Sequence, residues 1–219
     1  MRHFLLLLFL LGVAQAHADS TATNATELRD ALRGTAQPAE LRELGHDNGC
    51  GPNGCLVDIE PLRIWLEQGR MEQLDGTPLR LRELGSNLPE LDLSPLGAYR
   101  VSTGGKTWGM CLEFSHSGIG KSGVHQRWSS LVLVPFKNAK PGLDAYRIVG
   151  YWTGCDSLQV GSQPGQVLLP VVSQQPEHGL QVLNYHCSAQ RCTAQPANIQ
   201  VSGEPAAEVG TLQLHTQAP

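Results

Sequence analysis

Six cysteines constrain this chain more than any other feature. They fall at 50, 55, 111, 155, 187 and 192, an even count in a chain that opens like an exported protein, so they read as three disulfides. Cys50 and Cys55 bracket Gly51-Pro52-Asn53-Gly54, a turn sequence able to bring two Cα atoms into bonding range. Cys187 and Cys192 repeat that spacing at the tip of a predicted hairpin. Cys111 and Cys155 are then left for each other. Two Cys-x4-Cys pairs with His46 and His186 beside them would also suit zinc, but an oxidising destination favours disulfides, and neither metal nor cofactor is expected.

The N-terminus supplies that destination. Met1-Arg2-His3 is cationic, 4–13 is apolar, and Ala14-Gln15-Ala16 or Ala16-His17-Ala18 gives a small-x-small cleavage pattern. Residues 1–18 are therefore expected to be a signal peptide, and the protein periplasmic or secreted. The apolar run is well short of the roughly 20 residues a membrane span needs, and no later run approaches that length, so no span is expected. With 16 basic and 20 acidic residues the formal charge is -4, which argues against a nucleic-acid partner. At 41% hydrophobic and 16% charged, the chain has apolar matter for a core.

Composition changes near Gly97. Residues 19–97 hold 7 basic and 14 acidic side chains, whereas 98–219 hold 8 and 6. The first stretch reads as a helical N-terminal region. A helix is expected from Asn24-Ala25-Thr26-Glu27 to Gly34, a second from Pro38 to Gly45, and a third from Asp58 to Gly69, where Leu62, Trp65 and Leu66 give an i, i+3, i+4 stripe. Leu-Arg-Glu-Leu-Gly occurs at 41–45 and again at 81–85, each copy reading as a helix end stopped by Gly. Residues 86–97 read as a connector.

From 98 to 219 the pattern is that of strands. Trp108, Met110, Leu112 and Phe114 alternate with Gly109, Cys111, Glu113 and Ser115, and 131–134 is a buried run. Further strands are predicted at 99–101, 145–153, 167–172, 180–186, 199–201 and 212–214. The fold expected is α+β: a small helical N-terminal region with an antiparallel β domain (meander, sandwich or barrel), stapled by disulfides.

Functional signals are fewer. Gly120-Lys121-Ser122 would end a phosphate loop only if Ser115 were Gly, and neither His-Glu-x-x-His nor Gly-x-Ser-x-Gly occurs. The segment 108–114 resembles the Cys segment of amidases that cleave peptidoglycan peptides, with His116 or His125 placed to serve as base to Cys111. In that family the Cys opens a helix, whereas alternation here predicts a strand. The loop from Ser115 to Arg127 joins two strands and carries Gly118, Gly120, Gly123, His116, Lys121, His125 and Arg127 without one acid. Gly-rich backbone with Lys121 and Arg127 suits an anion, and Trp128 at its end could stack on a sugar.

The function expected is that of an exported, non-catalytic binding or interaction module of the cell envelope, for an anionic or saccharide ligand or another protein. The alternative is an envelope hydrolase of amidase or peptidase type using Cys111, or a Ser, with His116 or His125.

Overall fold

The computed structural model describes residues 19–44, 47–51, 54–59, 62–67, 70–73, 78–85, 95–115, 128–137, 140–141, 144–175, 179–203 and 211–216. Side chains are described for fewer, and of those at 47–67 only Trp65 is among them. The elements in chain order are β1 (Ser20–Ala22), α1 (Ala25–Arg33), β2 (Glu40–Glu43), β3 (Asp47–Gly51), β4 (Gly54–Ile59), β5 (Leu62–Glu67), β6 (Arg70–Gln73), β7 (Pro78–Leu84), β8 (Pro95–Thr103) and β9 (Lys106–Ser115). They continue as β10 (Trp128–Lys137), β11 (Lys140–Pro141), β12 (Asp144–Tyr151), a 3-10 turn (Cys155–Ser157), β13 (Gln159–Val160), β14 (Val167–Gln175), β15 (Gly179–Cys187), β16 (Cys192–Ser202) and β17 (Leu212–Thr216).

Antiparallel ladders join β2 to β8, β8 to β9, β9 to β10 and β10 to β12. Beyond β12 they run through β14, β15, β16 and β17 to β1. A second run of hairpins, β3 to β7, meets this sheet where β7 lies parallel to β12. That one parallel ladder is held by charge as well as by backbone. Arg147 faces Glu83 in register and donates to its carboxylate at 2.7 Å, while Asp144 accepts from Arg82 at 2.9 Å. Arg147 is 3% exposed, so its partners matter far more than those of a surface arginine. The sheet is open, with β2 and β1 at its ends and no ladder between them among the described residues.

Period-two alternation sorts the side chains by face. Leu131 and Leu133 of β10 enter one buried cluster, which also takes Val101 of β8, Ile148 of β12, Leu169 and Val171 of β14 and Tyr185 of β15. Val132 and Val134 point the other way and join Met110, Leu112 and Phe114. A third cluster lies on the reverse of β14, β15 and β17, where Leu28 of α1, with Ala31 and Leu32 behind it, packs on Tyr151, Val172, Val182, Leu212 and Leu214. The i, i+3, i+4 spacing of that helix is what lets one stripe cover the sheet.

The helix is built as its sequence predicts. Asn24 caps it, its Oδ1 accepting from the Glu27 N–H at 3.0 Å, and the Glu27 carboxylate reaches back to the Thr23 N–H at 2.7 Å. Gly34 ends it at φ 54. The two further helices are not formed, and the helical N-terminal region expected over 19–97 is largely strand. Residues 40–43 form β2, and 62–67 form β5 between β4 and β6. Leu62, Ile64 and Leu66 alternate as well as Leu62, Trp65 and Leu66 fit a helix, and the ladders to β4 and β6, which both reach Ile64, Trp65 and Leu66, settle the ambiguity. Both Leu-Arg-Glu-Leu-Gly copies likewise end strands, β2 and β7. The eight strands predicted from Tyr99 onward all fall within β8, β9, β10, β12, β14, β15, β16 and β17, except that the one predicted to reach Thr153 stops at Tyr151.

A second correction concerns Trp108. Val101 faces Gly109 but Ser102 faces Thr107, so Trp108 is the extra residue of a β-bulge. The bulge reverses the parity of the strand at that point. Trp108 therefore packs with Cys111 and not with Met110, Leu112 and Phe114. It is 5% exposed, and its Nε1 has no hydrogen-bond partner among the described residues.

Candidate functional site

Two of the three expected disulfides are formed among the described side chains. Cys111 bonds Cys155 with their Cα atoms 5.9 Å apart, and Cys187 bonds Cys192 across the β15–β16 turn. Cys50 stands opposite Cys55 in the β3–β4 ladder, and their side chains lie outside the described residues. Bonded and fully buried, Cys111 has no thiolate to offer, so the nucleophile role considered for it finds no support in this state. Among the described residues no group of three or more His, Cys, Asp and Glu could hold a metal.

The loop singled out in the sequence lies outside the described residues from 116 to 127. That includes His116, Gly118, Gly120, Lys121, His125 and Arg127. Its roots are described: Ser115 pairs with Ser129, and Trp128, whose side chain is not described, pairs through its backbone with Tyr151.

Close to that root is a set of ionisable side chains around the Cys111–Cys155 staple. Glu113, two residues beyond Cys111, accepts from the Cys155 N–H at 3.2 Å. Burial pushes its carboxyl above the ordinary value and the Asp156 charge adds to this, while the Cys155 N–H and Arg29 work against it. Gly97 faces Glu113 across the β8–β9 ladder, and the ring of Tyr99 lies over it so closely that a Cβ there would meet Tyr99 Cε2 at 2.8 Å. The Tyr99 phenol is pushed up by burial first and then by the charges of Glu113, Glu43 and Asp156. Arg29 neutralises Asp156. The result is a carboxyl that keeps its proton to higher pH than most, beside a phenol that also keeps its own.

The more open site lies at the far end of β14 and β15. Val167 faces Cys187 in that ladder, so the 161–166 turn entering β14 and the 188–191 turn leaving β15 stand side by side. Between them is a cleft of about 640 Å³, lined among others by Gln163, Gln166, His186, Gln190, Arg191 and Thr193. Each wall is tied by contacts of its own. Gly161 donates to the Gln166 carbonyl at 2.9 Å, and its missing Cβ lets Gln166 Cβ and Cγ lie against it. In the other wall Ser188 donates its N–H to the Arg191 carbonyl at 2.8 Å, the Cys187–Cys192 bond closes the turn beneath, and Tyr146 donates to the Gln190 carbonyl at 3.2 Å.

The cleft is polar and one-sided in charge. Among the described residues that line it, amides and hydroxyls dominate, Arg191 and His186 are the only ionisable groups, and there is no carboxylate. Sequence reasoning missed it, weighing His186 only beside a zinc site that it set aside and giving Arg191 no role. The two turns were each legible, but which turns abut depends on sheet order, which periodicity does not encode.

No family model, no curated protein and no solved structure matches this chain.

Proposed function

We propose that the protein is an exported, non-catalytic binding module of the cell envelope, with a polar ligand that is saccharide or anionic. The observation that supports this reading best is the polar cleft between the 161–166 and 188–191 turns, whose walls are pinned by a disulfide and by backbone hydrogen bonds. Preformed walls reduce the ordering cost of binding, and amide and hydroxyl groups match a hydroxyl-rich ligand without a catalytic group among them. Disulfides fit an oxidising compartment, and no described helix is long and apolar enough to cross a membrane. The cationic stretch from Lys121 to Arg127, which lies outside the described residues, is the second segment this reading includes.

The test is co-sedimentation of the full chain with insoluble envelope material, reported with its salt dependence. Saturable binding that weakens when Arg191 is replaced by Ala is the expected result. Replacement of Lys121 and Arg127 together reports on that second segment, and absence of saturable binding in every case would remove the module reading.

A further inference from the structure

β16 is paired unequally on its two sides. Toward β15 the ladder runs from Cys192 to Pro196 and resumes at Gln200, whereas β17 covers only Ile199 to Ser202. Among the described residues no strand pairs with the outer edge from Cys192 to Asn198, and Thr193 to Pro196 are exposed. The register says which backbone groups that edge presents. Cys187 and Cys192 stand opposite each other with Cα atoms 4.0 Å apart, the close spacing of a non-hydrogen-bonded pair, and the next pair toward the turn is bonded, Ser188 N–H to the Arg191 carbonyl. Alternation then puts Cys192, Ala194 and Pro196 at positions whose backbone groups turn away from β15. Pro196 agrees with this, having no N–H to give to that ladder. The open edge offers the N–H and carbonyl of Cys192 and of Ala194, and the carbonyl of Pro196.

Exposed edges are ordinarily blunted by charge or kept short. Of the strands at the two ends of the sheet, β2 carries Glu40, Arg42 and Glu43, and β1 is 3 residues long. Residues 192–203 hold no charged side chain. The short side chains of Thr193, Ala194 and Pro196 leave the backbone open to approach. The lack of charge gives an acidic or a basic strand no advantage, and it removes the repulsion that keeps two like edges apart.

We infer that the protein pairs with a second copy of itself, edge to edge along β16, antiparallel about a two-fold axis at Ala194. In that register the two Ala194 residues exchange both N–H to carbonyl bonds, and the Cys192 N–H of each copy donates to the Pro196 carbonyl of the other. Pro196 therefore forfeits only the bond to the Cys192 carbonyl. An axis nearer the turn would bring the two Arg191 side chains toward each other. Thr193 and Gln195 line the polar cleft, and across this axis Thr193 of one copy faces Gln195 of the other. The two clefts then meet on one face of a continuous sheet, each copy adding to the rim of the other's.

Sedimentation of the full chain over a range of concentrations, with hydrogen exchange at the same concentrations, tests this. The expected result is a monomer–dimer equilibrium in which the Ala194 amide exchanges more slowly as the dimer fills. The Thr193 and Gln195 amides face β15 in both states and should not change. Ala194→Glu and Ala194→Lys each set like charges opposite one another at the axis, so each alone should dimerise about fivefold more weakly. Mixed in equal amounts, the two should recover the dimer. Tm at a concentration where the protein is monomeric should match wild type for both, since Ala194 is exposed. If it falls, Pro196→Val carries the test, adding an outward donor that should tighten the dimer. A monomer at every concentration, assembly beyond a dimer, an Ala194 amide indifferent to concentration, or a dimer that ignores these changes would overturn the inference.

Discussion

Arg29 of α1 donates through Nη1 to Asp156 at 2.5 Å, across 127 positions of sequence, and through Nε to the Trp152 carbonyl at 3.0 Å. Trp152 is the only non-glycine described residue at positive φ, at 48. The strand ends there because an L-residue in the left-handed region cannot continue a ladder. One planar fork thus holds both sides of the turn that places Cys155 beneath Cys111. Asp156 is half exposed, so the ion pair alone contributes little, while the bond to a backbone carbonyl adds about 1 kcal/mol. Arg29→Ala should therefore destabilise by about 1–2 kcal/mol, and Arg29→Lys by nearly as much, since an ammonium cannot reproduce the fork. Urea midpoints decide it: a lysine variant indistinguishable from wild type would show that the fork is not what holds the turn.

The two described disulfides should differ in weight. Cys111–Cys155 spans 44 positions and Cys187–Cys192 spans 5, so chain entropy gives about 4 kcal/mol for the first and about 2 for the second. Changing Cys111 and Cys155 together to Ala should lower the denaturation midpoint more than the same change at Cys187 and Cys192. The reverse order would mean that the short staple supports the cleft wall beyond its entropic share. Alkylation of the folded, unreduced protein should leave both pairs unlabelled.

Much of the strand pattern was legible because alternation and burial coincide from β8 onward. Leu131 to Val134 reads as a run with both faces buried, and the structure buries both. The disulfide between Cys111 and Cys155 followed from elimination. What misled was local ambiguity resolved by distant partners. Leu62 and Leu66 satisfy either period, with Trp65 completing the helical one and Ile64 the strand one, and only the ladders to β4 and β6 choose between them. The bulge at Trp108 was hidden for a related reason, since an extra residue is visible only against the strand it fails to match. The cleft lay further out of reach. Its walls come from turns that meet only through sheet order, so the residues that line it come together only in the folded sheet.

Gly109 carries a sharp prediction beside that bulge. It faces Pro135 across the β9–β10 ladder, and a Cβ there would lie 2.9 Å from Pro135 Cα and closer still to the Val134 carbonyl oxygen. Both are backbone atoms in a central ladder, so neither can swing aside. Gly109→Ala should destabilise by about 3 kcal/mol, at the upper end for an overpacked core. The denaturant midpoint should fall with little change in m-value, and a midpoint near that of wild type would show that β9 and β10 stand further apart than described.

Glu113 makes stability depend on pH in a direction opposite to that of most carboxylates. Its folded-state affinity for a proton is raised, by burial first and by Asp156 after, against the opposing pull of the Cys155 N–H and Arg29. Below the ordinary value of 4.5 both folded and unfolded chains hold the proton, and the group costs nothing. As pH rises past 4.5 the unfolded chain releases its proton first, so the folded state loses stability until its own carboxyl ionises, after which the penalty is constant. Glu113→Gln keeps an acceptor for the Cys155 N–H and removes the titration. Tm of the wild type minus Tm of this variant, measured from pH 4 to 8, should therefore fall as pH rises through that window and level off above it. Other titrating groups are common to both proteins and largely cancel. A difference that rises with pH would mean that Arg29 and the Cys155 N–H outweigh burial at this site, and Glu113 would then be a stabilising carboxylate held ionised beside the staple.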